Sequence, residues 1–118
     1  MLSERNRIQQ LEVVIQENSE NAFLQYSLGH EYLETGDFKK AIPRLRKAIE
    51  LQNTYSAAYR DLGKALSQES NFEEAEAIFI RGIKIANERG DLQTAKEMSV
   101  FLKRINPDSL DGDSICSC

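Results

Sequence analysis

Residues 22–55, AFLQYSLGHEYLETGDFKKAIPRLRKAIELQNTY, run directly into residues 56–89, SAAYRDLGKALSQESNFEEAEAIFIRGIKIANER, and the two stretches of 34 match when laid on each other. Leu28 meets Leu62, Gly29 meets Gly63, Phe38 meets Phe72, Ala41 meets Ala75, Ile49 meets Ile83 and Asn53 meets Asn87. The shared positions are small or apolar and the polar ones drift, so what repeats is a packing scheme.

Each copy carries two runs of helical periodicity. In the first, Leu24, Leu28, Tyr32 and Leu33 precede the Gly36-Asp37 break, and Ala41, Ile42, Leu45, Ala48 and Ile49 follow it. In the second, Ala58, Tyr59, Leu62, Ala65 and Leu66 precede Ser70-Asn71, and Phe72, Ala75, Ile78, Phe79, Gly82, Ile83 and Ile85 follow. Asp37 is the expected N-cap of its helix, Thr54 that of a helix from Tyr55, and Asn71 with Glu74 has the spacing of a capping box. Pro43 lies beyond the first turn of its helix and predicts a bend on the outer face. Gly82 stands where Ala48 stands, so both copies ask for a small residue there.

The flanks continue the pattern. Residues 4–17 place Ile8, Leu11, Val14 and Ile15 on one stripe, and residues 91–105 place Leu92, Ala95, Met98, Ser99, Leu102 and Ile105 on another, stopped by Asn106-Pro107. With Met98-Ser99 at the place of Leu62-Gly63, the third unit begins at Leu92, which requires a two-residue insertion at the preceding turn. The expected organisation is one domain over 1–107, made of a half-repeat helix at 4–17, full repeats at 22–55 and 56–89, and a closing helix at 91–105. The segment 108–118, rich in Asp, Ser and Gly, reads as a disordered tail.

Helical hairpins recurring at this period bury their apolar sides only by stacking, which makes an α-solenoid of about six helices. The residues resemble the tetratricopeptide repeat family. The likeness runs through Leu28-Gly29, Tyr32, Gly36, Phe38, Ala41, Leu45 and Ala48, then through Tyr59, Leu62-Gly63, Leu66, Phe72, Ala75, Phe79 and Gly82. It departs at Gln25, where the family favours a large side chain, at Ser70, where it favours Gly, and at Asn53 and Asn87, where it often has Pro. The resemblance implies an all-α, right-handed solenoid of antiparallel pairs, like the small bacterial proteins built of such repeats alone, and it implies a protein or peptide partner rather than a substrate.

Composition narrows the function classes. A formal charge of −4 over 118 residues supplies no general basic surface for nucleic acid. No run approaches the apolar length of a membrane span and the N-terminus lacks a secretory apolar run, so cytoplasmic residence is expected. The two cysteines, Cys116 and Cys118, cannot tie distant parts of the fold. They offer a soft-metal site, a local disulfide or a lipid acceptor, or they belong to an inert end; Asp108, Asp111 and Asp113 are the wrong charge for an anionic membrane. With one histidine, His30, and no phosphate loop, metal spacing or nucleophile motif, no enzyme, cofactor or metal is expected.

By the family's geometry the first helix of each pair lines a concave groove. Tyr26, His30, Arg60, Lys64, Lys96 and Lys103 are then the candidate partner-binding residues, with Asp61 and Glu97 among them. Arg60 and Lys64 are one helical turn apart and, with the two later lysines, form either a basic stripe for a peptide bearing carboxylates or the usual solvated charges of a helix surface. Some family members clamp a C-terminal Glu-Glu-Val-Asp with Lys and Asn; the matching places here hold Tyr26, His30, Asp61, Gln93 and Glu97, so that clamp is not implied. Val13 and Val100-Phe101 fall outside the packing plan, which leaves open a monomer or a weak homodimer stacked through its ends.

Overall fold

The computed structural model describes residues 4–110, as helices α1 (Glu4–Glu17), α2 (Ala22–Glu34), α3 (Phe38–Leu51), α4 (Ser56–Gln68), α5 (Phe72–Glu88) and α6 (Leu92–Ile105), closed by a 3-10 turn at Pro107–Leu110. The turn occupies the start of the segment expected to be disordered; the rest of it, with Cys116 and Cys118, lies outside the described residues.

Three of the five interhelical turns are made alike. At the ends of α2, α4 and α5 a residue of positive φ follows the cap: Gly36 at 84°, Ser70 at 64° and Gly90 at 77°. The next residue then reaches back five, with Asp37 N donating to Tyr32 O, Asn71 N to Leu66 O and Asp91 N to Ala86 O, each at 2.8 Å. This satisfies carbonyls that a helix end leaves orphaned. Asp37, Asn71 and Asp91 also stand at the N-caps of α3, α5 and α6, but none of their side chains makes a cap hydrogen bond. The expected capping box therefore does not form; Glu74 turns instead to Arg46 of α3, whose Nη2 donates to Oε1 at 3.2 Å. Nor does Thr54 cap α4, which begins one residue late with Tyr55 at its N-cap and no side-chain bond. Asn21 does cap α2, its Oδ1 accepting from Leu24 N at 3.0 Å.

Close approach of the helices explains the repeated small residues. A Cβ on Gly29 would lie 2.7 Å from Leu45 Cγ, one on Gly63 would enter the Phe79 ring, and one on Gly82 would lie 2.6 Å from Met98 Sδ and 2.7 Å from Tyr59 Cβ. Leu28, Leu45, Tyr59, Leu62, Leu66, Phe79, Met98 and Leu102 form the fully buried core. Gln25, at a place where the family favours a bulky apolar group, is also buried. Its Nε2 donates to Ser19 O at 2.8 Å and its Oε1 accepts from Arg44 Nη1 at 3.4 Å, so both ends of the amide are satisfied.

The packing makes an all-α, right-handed solenoid. Consecutive helices touch throughout, and α2 also touches α4 and α4 touches α6, so α2, α4 and α6 form an inner row and α1, α3 and α5 an outer one. Pro43 is exposed on the outer row, and α3 runs continuously through it. The insertion before α6 is absorbed by α5, which has 17 residues against 14 in α3. Three expected core residues prove exposed: Val14 at 44%, Phe72 at 49% and Leu92 at 59%. Val14 stands at the register of Ala48, which is fully buried; α1 has no preceding hairpin partner among the described residues.

Candidate functional site

The middle of the inner row is occupied by a polar network that crosses all three of its helices. Asp61 of α4, expected to face the groove, is instead fully buried at 0% exposure. A buried carboxylate requires donors. Here His30 Nδ1 of α2 lies 2.7 Å from Oδ2, and Arg60 Nε lies 3.0 Å from Oδ1. Arg60 spends its remaining donors outward: Nη1 reaches Glu97 Oε1 of α6 at 3.0 Å, and Nη2 reaches the Tyr26 hydroxyl of α2 at 3.2 Å. Tyr26 in turn packs on His30 and Tyr55, with ring centroids 5.7 and 5.0 Å apart.

The electrostatics follow from this geometry. The hydrogen bond to Asp61 raises the His30 pKa against the opposing effect of burial, with the charges of Asp61, Glu34 and Glu31 adding to it. Burial, then the nearby Asp61 charge, pushes the Tyr26 phenol up and keeps it neutral. Arg60, only 20% exposed at its side chain, has its charge matched by Asp61 and Glu97. Of the two readings of the groove charges, a continuous basic stripe is interrupted at Arg60.

Of the six candidate residues, Tyr26, His30 and Arg60 are brought together by Asp61. Lys64 belongs to a different neighbourhood, its Nζ lying 5.2 Å from the centroid of Phe101. Lys96 and Lys103 are exposed on α6 and form no ion pair among the described residues. Beside Lys64 a cleft of about 280 Å³ opens between α2, the start of α3, α4 and α6, lined by Leu33, Glu34, Phe38, Lys64, Ser67, Gln68 and Phe101. Among the described residues no group of three or more His, Cys, Asp or Glu side chains converges to hold a metal, and no helix is long and apolar enough to cross a membrane.

Similarity to known proteins agrees with this architecture. The Tetratricopeptide repeat pattern matches residues 32–98. The TPR repeat-containing protein PA0015 of Pseudomonas aeruginosa is 34% identical over 99 residues, covering 84% of this chain and 94% of its own. The chain belongs to the tetratricopeptide repeat family. The solution structure of protein BPP2914 from Bordetella parapertussis matches with a TM-score of 0.75 and 34% identity, over 94% of this chain and 95% of that one. A tetratricopeptide repeat domain protein from Salinibacter ruber matches at 0.68 and 22% identity, over 74% and 97%, and shows the fold alone. Tetratricopeptide repeat domains are in general non-catalytic modules that bind proteins or peptides.

Phe101 was not among the candidate residues. In the sequence it is one half of an apolar pair at a place that repeat packing leaves unassigned, and nothing in the sequence links it to Lys64, 37 positions earlier. In the tetratricopeptide fold the two meet because α4 and α6 are neighbours in the inner row. Phe101 then stacks on Phe79, with centroids 6.0 Å apart and planes at 11°.

Proposed function

We propose that this protein is a non-catalytic interaction module of the cytoplasm that holds a peptide or a helix of another protein along α2, α4 and α6. The supporting observation is the contrast within the inner row. Its centre is tied internally by Asp61 and Arg60, while Lys64, Lys96 and Lys103 form no ion pair among the described residues, and Phe23 and Val100 stay exposed at 64% and 49%. A rigid surface of this kind loses little freedom on binding, so the cost of ordering falls on the partner alone. Lysines beside exposed apolar groups suit a partner carrying carboxylates.

Photo-crosslinking tests the reading. A photoreactive residue at Lys96, on the inner row, should trap a protein partner in extract of the cells that make this chain, and one at Ala77, on the outer row, should not. A partner trapped from Ala77 and never from Lys96 would refute it.

A second reading has one observation in its favour. Val13 and Val14 leave the open face of α1 apolar, with Val13 65% exposed, in the form of an unfinished repeat. Two copies stacking through their unfinished end helices would cover it. Mass measured in solution separates the two readings, since a chain that stays monomeric at high concentration removes the second.

A further inference from the structure

The cleft beside Lys64 differs in kind from the rest of the inner row. Its floor is apolar, formed by the buried Leu33 and the half-buried Phe38 and Phe101. At about 280 Å³ it falls below the roughly 300–1,000 Å³ of pockets that enclose whole small molecules, and it is open to solvent. It has room for one large side chain. Two cations lie against the same aromatic ring, Lys64 Nζ at 5.2 Å and Arg104 at 5.4 Å from the Phe101 centroid. Neither forms an ion pair among the described residues, unlike Arg60, whose charge Asp61 and Glu97 match. The acidic lining residue, Glu34 of α2, lies 3.9 Å from His30 Nε2.

An apolar socket with an unpaired lysine in its lining, and an unpaired arginine over the same Phe101 ring, selects for a particular pair of neighbours in a ligand. We infer that the cleft receives one aromatic or branched aliphatic side chain of a partner peptide, and that a carboxylate adjacent to that side chain in the peptide is held by Lys64 and Arg104. The inference rests on the reading of the inner row as a peptide surface and says where on that row, and by what chemistry, the peptide is chosen. The apolar contact supplies most of the burial, and the charge pair supplies selection and orientation.

The test uses the whole chain, isotopically labelled for NMR, titrated with the peptide acetyl-Glu-Glu-Phe-Glu-Glu-amide. Its controls are the same peptide with Gln for every Glu and the same peptide with Gly for Phe. Saturable shifts centred on Leu33, Phe38, Lys64 and Phe101 are expected, with both controls weaker by about tenfold or more. Lys64→Glu reverses the rim charge, and Gln68→Trp, at an exposed lining position, fills the socket. Each should weaken binding by about tenfold while leaving the spectrum of the unbound fold intact. Equal affinity for the three peptides, no saturable binding, or indifference to both substitutions would overturn the inference. Shifts confined to Tyr26, Ser27 and Lys96 would overturn it while sparing the inner-row reading; shifts confined to α5 and to α3 beyond Phe38 would overturn both.

Discussion

His30 Nδ1 on α2 lies 2.7 Å from Asp61 Oδ2 on α4, and Asp61 has no exposure to solvent. The pair joins adjacent repeats through a titratable donor and a buried acceptor. Because Asp61 raises the His30 pKa above its ordinary 6.5, the protonated ring is stabilised by folding. That contribution is fully present below the unfolded pKa and is lost as pH rises through the higher folded value. Urea unfolding from about pH 5.5 to about pH 8.5 should therefore show stability falling across the neutral range. His30→Gln should flatten that dependence; an unchanged slope would refute the assignment.

Arg60 is the second donor to Asp61, and Arg60→Met removes it while keeping most of the alkyl bulk. The buried carboxylate is then left with His30 and the Tyr26 phenol, of which only His30 can carry a positive charge. A loss of about 3 kcal/mol is expected at alkaline pH, where the ring is neutral, and a smaller loss at acid pH, where it is charged. Equal losses at the two pH values would show that His30 does not compensate.

Ser70 holds φ at 64° where the matching turn has Gly36 at 84°. A side chain in this left-handed region costs roughly 1 kcal/mol, which glycine avoids. Ser70→Gly should stabilise by about 0.5–1 kcal/mol, and Gly36→Ala should destabilise by about 1 kcal/mol or more. Chemical denaturation midpoints measure both.

Gly63 and Gly82 sit inside helices, where alanine would ordinarily be preferred by up to about 1 kcal/mol. Here a Cβ meets the Phe79 ring or the backbone-proximal Tyr59 Cβ. Gly63→Ala and Gly82→Ala should therefore destabilise by about 1–3 kcal/mol, visible as lower thermal midpoints. An increase in either would mean that the helices can move apart freely.

The fold was legible because it is written at positions that answer to one constraint. Gly29 and Gly63 stay small since Leu45 and Phe79 press on them, and that requirement survives any change of surface. The exceptions share a cause. Val14 has the register of a core residue but no helix pair to complete, and Asn71 with Glu74 has capping spacing, yet Arg46 of the neighbouring hairpin competes successfully for the carboxylate. The candidate site was less legible still. Asp61 occupies a groove-facing register, but the donors that make its burial tolerable come from His30, 31 positions earlier, and from the folding back of Arg60. Periodicity reports which way a side chain points and is silent on which charges will find each other.

The length of α5 has its own consequence. Its 17 residues exceed the 14 of α3 by three, yet Met98 still packs at Gly82 and Glu97 still meets Arg60. Extra chain has been taken up at the back of the molecule without disturbing the spacing at the front. Added length at the C-terminal end of α5 is thus a change that evolution or a designer can make while the inner row keeps its period.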